Sequence, residues 1–172
     1  GIDLPTPASY WKICSINEGV FPVLASDPKI SLYYENARKK QNYYATYDPY
    51  VYSKADVIVV DINLDVKKHS SVGNDSEDYS IDLTPFKKAI ESIGTYCKPD
   101  VLVLVETTVP PGTSEKIVKP ILEECLLKRG LPIDELKVGH SYERVMPEPS
   151  ISTQFRTSTG YLPAPMKPVP LP

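Results

Sequence analysis

The chain has 172 residues and a net charge of −3 without any basic run, which excludes an electrostatic surface for nucleic acid. Its 41% hydrophobic and 24% charged residues lie near the globular averages of about 45–50% and about 25%, which excludes a disordered or fibrous chain. Its longest apolar stretches, such as residues 101–105, fall far short of the roughly 18–20 residues of a membrane span, and no signal peptide is readable. Three scattered cysteines favour a reducing compartment, so we expect a cytoplasmic domain.

The first third of the chain predicts one helix and one short strand. Residues 9–19 place Tyr10, Ile13 and Cys14 on one side of a helix, and Gly19 suits the position just past its end. Residues 43–47 are typical of a short strand. Seven of the twelve tyrosines lie between Tyr33 and Tyr52, and such a cluster either packs in a core or stacks on a base; packing is the commoner of the two.

The middle of the chain alternates strand and helix. Residues 55–62 (ADVIVVDI) form a continuous β-branched run, typical of a strand buried on both faces. The polar residues 67–80 predict a loop. Residues 82–97 have helical apolar spacing, with Thr84 as the N-cap and Pro85 at the first helical position.

The same alternation continues to residue 142. Residues 100–106 (DVLVLVE) predict a second buried strand, and a helix follows from a Thr113 cap to Gly130, with a kink at Pro120. Residues 136–142 predict a third, shorter strand. This order predicts an α/β fold, a Rossmann-like parallel sheet flanked by helices, in which ligands bind beyond the carboxyl ends of the strands.

Two motifs lie at those carboxyl ends. Residues 106–113 (ETTVPPGT) carry the hydroxyls of Thr107 and Thr108 into the expected crevice, or are simply a well-made turn before a helix. In residues 140–147 (HSYERVMP), Glu143 is a candidate general base, and Arg144 pairs either with it or with a phosphate; a surface ion pair is the alternative.

A third candidate is acidic and lies near the start of the chain. In dinucleotide-binding folds an acidic residue ends the second strand and binds the ribose hydroxyls, and Asp3 precedes a predicted helix in that manner. The chain contains no G-x-G-x-x-G, so we expect that turn to lie before Gly1. No metal site is predicted, because His69 and His140 have no companions at ligand spacing.

Three segments in order, residues 55–66 (ADVIVVDINLDV), 106–113 and 140–147, resemble the UDP-sugar 6-dehydrogenase family. Its UDP-N-acetylglucosamine and UDP-N-acetylmannosamine 6-dehydrogenases are the branch resembled most. The resemblance implies an enzyme that uses NAD to oxidise the sugar C6 alcohol to a carboxylate for polysaccharide precursors, through an aldehyde and a Cys-linked thioester.

The resemblance also assigns roles to residues of this chain. It implies cofactor contacts at Asp3, Asp61, Asn63, Thr107 and Thr108, a water-placing catalytic role for Thr108, a catalytic acid–base role for Glu143, and substrate binding by Glu143 and Arg144. The cofactor is then NAD, and the partner in the intact parent is a UDP-sugar.

The resemblance covers residues 1–149, which we interpret as a partial NAD-binding domain, and the Pro-rich residues 150–172 predict a disordered tail. The family's first strand, its glycine-rich turn and its catalytic thiolate have no counterpart here, so we expect this chain alone to be inactive. Unpaired strand edges are compatible with a homo-oligomer. The alternative function is a non-catalytic interaction module that presents the Pro-rich tail to a partner.

Overall fold

The computed structural model describes residues 1–22, 27–64, 66–69 and 78–141. The predicted tail at 150–172 and the candidate residues Glu143 and Arg144 lie outside these ranges. The described residues divide into two compact units, with the boundary after Tyr47. No helix in the described ranges is long and apolar enough to cross a membrane.

The first unit contains two helices, α1 (Pro7–Glu18) and α2 (Lys29–Lys39). Helix α1 begins two residues earlier than predicted, because Pro7 suits a first turn that needs no amide donor. Gly19 adopts φ 91°, the left-handed conformation that ends a helix, which confirms the predicted stop. Helix α2 was not predicted from the sequence, and at its start the Asp27 carboxylate accepts a hydrogen bond from the Lys29 amide at 2.9 Å.

The predicted strand at 43–47 is wrong, since only Thr46 pairs, in one isolated parallel bridge with Ile2. The side chain of Asn17 bonds the backbone of the neighbouring Ala45. Its amide nitrogen donates to the Ala45 carbonyl at 2.8 Å, and its oxygen accepts from the Ala45 amide at 2.9 Å.

The second unit contains the rest of the described elements. In chain order these are a 3₁₀ helix (Pro49–Lys54), β1 (Val57–Val60), β2 (Val66–His69), β3 (Asp78–Ile81), α3 (Thr84–Tyr96), β4 (Leu102–Val105), a π-helical turn (Ser114–Val118), α4 (Lys119–Lys128) and β5 (Lys137–His140). Strands β1, β4 and β5 form a parallel sheet in the order β1-β4-β5, which confirms the predicted α/β fold.

The core of this unit lies between the sheet and the two helices. Its fully buried side chains include Phe86 and Ile90 of α3, Leu122 and Leu126 of α4, and Val103 of β4. Their helical and strand spacing is the apolar pattern on which the sequence prediction rested.

The prediction that strand β1 is buried on both faces is wrong. Ile58 and Val60 are buried, whereas Val57 and Val59 are 53% and 52% exposed. Successive side chains of a strand alternate between faces, and β1 lies at one edge of the three-stranded sheet. Its continuous apolar run therefore covers one buried and one exposed face.

The loop predicted at 67–80 is also partly wrong. Strands β2 and β3 pair antiparallel, with Val66 opposite Ile81 and Lys67 opposite Ser80. Their residues are mostly polar, so the hairpin lacks the apolar alternation by which a strand is recognised.

Two helix starts differ in detail from the prediction. Thr84 is the first residue of α3 rather than its cap, and its amide donates to the Asp82 carboxylate at 2.9 Å. Pro120 lies in the first turn of α4, directly after the π-helical turn that begins the same helical run. Proline lacks the amide donor of a regular turn, and the wider turn accommodates that loss.

Candidate functional site

The candidate site of the second unit begins where β1 and β4 end together. Val60 pairs in register with Val105, so Asp61 and Glu106 are the first residues of two adjacent loops. The Glu106 amide donates to the Val60 carbonyl at 2.9 Å and holds these loop starts side by side. Asp61, Asn63 and Thr108 are exposed at this edge of the sheet.

The Thr107 side chain is buried between the two loops, with 4% of its surface exposed. Its hydroxyl accepts from the Ile62 amide at 2.8 Å and donates to the Val60 carbonyl at 3.3 Å. This hydroxyl, predicted to face the crevice, therefore links the loop after β4 to the loop after β1. Nothing in the sequence indicated this link, because it joins residues 45 positions apart.

The residues that follow the exposed Thr108 in the ETTVPPGT motif form a turn. Gly112 adopts φ 82°, which favours glycine. Thr113 is buried, and its hydroxyl donates to the Pro110 carbonyl at 2.7 Å. The predicted capping bond from Thr113 to the next helix is therefore absent, because that hydroxyl closes the turn itself.

Asp3 belongs to the first unit, where it follows the bridged residue Ile2. Its amide donates to the Thr46 carbonyl at 3.1 Å, and its carboxylate accepts from the Leu4 amide at 2.7 Å. The side chain is exposed at the carboxyl end of this short parallel pairing. Acidic residues that end a strand in this way bind ribose hydroxyls in dinucleotide-binding folds.

The third motif is described only as far as Ser141. Strand β5 ends at His140, and the Ser141 amide donates to the Val105 carbonyl at 2.9 Å. The chain thus leaves β5 at the same sheet edge as the two loops above. Glu143 and Arg144 follow outside the described residues.

The thiols of the second unit are poorly suited to act as nucleophiles. Cys97 is fully buried, and burial raises the pKa of its thiol. Burial also raises the pKa of the Cys125 thiol. Both are therefore protonated at neutral pH, whereas a nucleophilic cysteine needs a lowered pKa. Within the described ranges, no three His, Cys, Asp or Glu side chains are grouped to hold a metal ion.

A parallel β-α-β-α-β unit with polar residues at the carboxyl ends of its strands is typical of the Rossmann-like α/β class. The chain matches the model of the UDP-glucose/GDP-mannose dehydrogenase family, NAD binding domain, over residues 7–158. It belongs to that family, and the resemblance found in the sequence is confirmed.

Two relatives and one solved structure illustrate the similarity. Protein CapL of Staphylococcus aureus is 33% identical over 126 residues, which is 73% of this chain and 27% of CapL. UDP-N-acetyl-D-glucosamine 6-dehydrogenase of Pseudomonas aeruginosa is 32% identical over 114 residues, covering 64% of this chain and 24% of that protein. The crystal structure of NDP-N-acetyl-D-galactosaminuronic acid dehydrogenase from Methanosarcina mazei Go1 has a TM-score of 0.70 and 27% identity, over 89% of this chain and 30% of that chain.

The chain thus spans about a quarter of the length of these two relatives. Its described residues fit the cofactor of the family's domain. Asp3 offers an exposed carboxylate to a ribose diol, and Thr108 offers an exposed hydroxyl at the end of β4.

Proposed function

We propose that this chain is part of an NAD-dependent UDP-N-acetylhexosamine 6-dehydrogenase, a cytoplasmic enzyme that oxidises the sugar C6 alcohol to a carboxylate for polysaccharide precursors. The observation that carries the proposal is the family match over residues 7–158. The similarity to relatives named UDP-N-acetyl-D-glucosamine 6-dehydrogenase and UDP-N-acetyl-D-mannosamine dehydrogenase supports the N-acetylated substrate.

In this proposal the exposed polar residues hold the cofactor. Asp3 accepts hydrogen bonds from the adenosine ribose, while Asp61 and Asn63 line the crevice beyond β1. NAD, when bound, supplies the hydride acceptor for an alcohol oxidation. The residues of this chain bind the cofactor and orient it.

Thr107 and Thr108 have different proposed roles at the end of β4. The Thr107 hydroxyl is committed to Ile62 and Val60, so it positions the loop. The exposed Thr108 hydroxyl is the one able to border the nicotinamide and orient a water molecule. This division follows from the burial of one hydroxyl and the exposure of its neighbour.

Glu143 and Arg144, which follow β5 in the sequence, receive the remaining proposed roles. The chain leaves β5 at Ser141, at the same edge of the sheet as Thr108. We assign Glu143 to proton transfer or thioester hydrolysis and Arg144 to the substrate phosphate, because a guanidinium binds phosphate through paired hydrogen bonds.

The cofactor half of the proposal is tested by titrating this chain with NAD⁺, using calorimetry or the fluorescence of Trp11, its single tryptophan. We expect saturable binding that Asp3→Asn weakens by about tenfold, because the ribose loses a charged acceptor. Asp134→Asn, an exposed aspartate in a loop of the other unit, is the matched control and leaves the affinity unchanged. No binding at millimolar NAD⁺ contradicts the cofactor assignment.

The substrate half is tested in the intact parent protein by following NADH formation. We expect a higher kcat/KM with a UDP-N-acetylhexosamine than with UDP-glucose or GDP-mannose. Thr108→Val and Glu143→Gln are each expected to lower kcat by about 10²-fold or more, as loss of a positioned acid–base or water-orienting group does. A preference for GDP-mannose would contradict the substrate class.

A further inference from the structure

We propose that the outer edge of strand β1, the edge that faces away from β4, binds a second copy of this chain. The two β1 strands pair antiparallel across a twofold axis, so the parallel sheets of the two copies become one continuous sheet. This inference concerns the second unit alone and does not depend on the proposed cofactor or substrate.

The outer edge of β1 carries backbone groups that have no strand partner within the described ranges. On the inner edge, the carbonyls of Asp56 and Val60 accept hydrogen bonds from the first amide of β4, at 3.0 Å, and from the amide directly after β4, at 2.9 Å. Backbone groups of successive strand residues point to alternate edges. The amides and carbonyls of Val57 and Val59 therefore point away from β4, toward the outer edge.

The two edges of this sheet differ in how they discourage a further strand. Strand β5, at the opposite edge, begins at the exposed Lys137 and contains Gly139. Lysine protects edge strands from pairing, and glycine weakens a strand. Strand β1 has the sequence VIVV, without a charge, a proline or a glycine. Of the two edges, β1 is therefore the one suited to strand addition.

The side chains beside the outer edge are apolar and exposed. Val57 and Val59 share one face of the sheet with Leu102 and Leu104, their register partners in β4. The opposite face, which holds Ile58, packs against the helices in the core. A strand added at the outer edge covers part of the exposed valine surface, because side chains directly opposite each other on neighbouring strands are in contact.

Strand β1 is complementary to itself when two copies run antiparallel. With the twofold axis at Ile58, Val57 of each copy lies opposite Val59 of the other copy. Each of these pairs exchanges both of its backbone hydrogen bonds, as alternate pairs of antiparallel strands do. The opposed valines are β-branched, and such residues pack well across strands. A second copy therefore satisfies both the backbone groups and the apolar side chains of the outer edge.

The charges that flank β1 favour the same register. Asp56 and Asp61 are both exposed, and carboxylates directly opposite each other repel. In the register described above, Asp56 lies opposite Val60 and Asp61 lies opposite Ala55. A shift by one residue places Asp56 opposite Asp61 and removes the matched hydrogen bonds, so the pairing has one preferred register.

The interface is small, so the dimer is weak. Stable specific interfaces bury about 1,200–2,000 Å², whereas β1 has only 4 residues. We expect a dissociation constant of about 10–500 μM. Assembly ends at the dimer, because the twofold axis uses the one suitable edge of each copy.

Sedimentation velocity of the full chain between about 5 μM and about 1 mM measures this equilibrium. We expect Val59→Lys to weaken the dimer by at least about tenfold, because its two charges lie near the axis. Val59→Pro has the same expected effect, since it removes an amide that points away from β4 and leaves the ladder to β4 intact. Val66→Lys, at a valine of β2 that is 57% exposed, is the matched control and stays within about twofold.

Amide hydrogen exchange of the wild-type chain locates the interface without a substitution. We expect the amides of Val57 and Val59 to exchange at least about threefold more slowly at about 1 mM than at about 20 μM. The Val138 amide is the control. It points to the outer edge of β5, because Lys137 and Ser141 on either side of it donate to β4 carbonyls.

Four results would overturn the inference. A chain that stays monomeric at about 1 mM forms no such dimer, and species larger than a dimer contradict the closed twofold pairing. A dimer that both Val59 variants weaken no more than Val66→Lys lies elsewhere on the molecule. Slow exchange of the Val57 and Val59 amides at every concentration means that these groups are bonded within one chain.

Discussion

The Thr107 hydroxyl accepts a hydrogen bond from the Ile62 amide at 2.8 Å, which joins the loop after β1 to the loop after β4. These loops carry Asp61 and Thr108, two of the exposed polar residues of the candidate site. A buried hydroxyl that bonds across two loops determines the geometry of both.

Replacing Thr107 with valine keeps its shape and removes this bond. We expect Thr107→Val to lower the free energy of unfolding by about 1–3 kcal/mol, because the Ile62 amide loses its partner in a partly buried place. Urea unfolding measures the change. Thr107→Ser retains the hydroxyl and should recover most of the loss, while Thr108→Val, at an exposed position, should stay within about 0.5 kcal/mol. Equal losses in the valine and serine variants would show that the hydroxyl is not what matters.

Gly94 allows α3 and α4 to approach closely. A Cβ atom added there would lie 2.7 Å from the Cys125 Cβ and 3.1 Å from its Sγ. We expect Gly94→Ala to be destabilising, since overpacking costs about 1–3 kcal/mol and exceeds the gain of about 1 kcal/mol in helix propensity. Thermal unfolding measures the effect, with Lys87→Ala on the exposed surface of α3 as the control. Cys125→Ala should give only partial rescue, because it keeps the Cβ; a Gly94→Ala variant more stable than wild type would refute the close contact.

Arg129, at the end of α4, donates hydrogen bonds to backbone carbonyls at the end of α3. Its Nη1 donates to the carbonyls of Gly94 at 2.9 Å and Cys97 at 2.8 Å, which have no partner within their own helix end. We expect Arg129→Leu to lower the free energy of unfolding by about 1–2 kcal/mol, as loss of charge-assisted bonds to two carbonyls does. Lys128→Ala removes only an exposed ion pair with Glu124, so its denaturation midpoint should stay near that of wild type. If the two variants lose stability equally, net charge explains the effect and the two bonds do not.

Alkaline pH should weaken the second unit through Cys97. Burial raises the pKa of this thiol above its ordinary value of 9.0, although the Arg129 guanidinium opposes the shift. The unfolded chain then releases the proton first, so the contribution is fully present below pH 9.0 and is lost as the pH rises through the folded pKa.

Urea midpoints at about pH 8 and about pH 10 measure this dependence. We expect the midpoint of wild type to fall more than that of Cys97→Ala. Part of the decrease should persist in the variant, because burial also raises the pKa of Tyr52. Identical decreases in both proteins would mean that Cys97 does not titrate differently on folding.

Some expectations from sequence matched the structure because they depend on local periodicity. The apolar spacing of α3 and the β-branched runs at β1 and β4 were predicted as a helix and two strands, and the parallel sheet followed from their alternation. The β2–β3 hairpin was missed because its residues are mostly polar. Helix α2 was missed although Ile30, Tyr34 and Ala37 lie at helical spacing on its less exposed side. The predicted strand at 43–47 was wrong, since only Thr46 forms a bridge, and the backbone of Ala45 bonds the Asn17 side chain, 28 positions away.

The sequence by itself determined the family and the α/β order of this protein, since both follow from motifs and repeating apolar patterns along the chain. Only the tertiary structure decided which polar groups are buried in hydrogen bonds and which are exposed. It buried the Thr107 hydroxyl against Ile62 and left Thr108 exposed. Hydrogen bonds between residues more than 40 positions apart leave no local pattern, because they depend on where the folded backbone brings a donor to an acceptor.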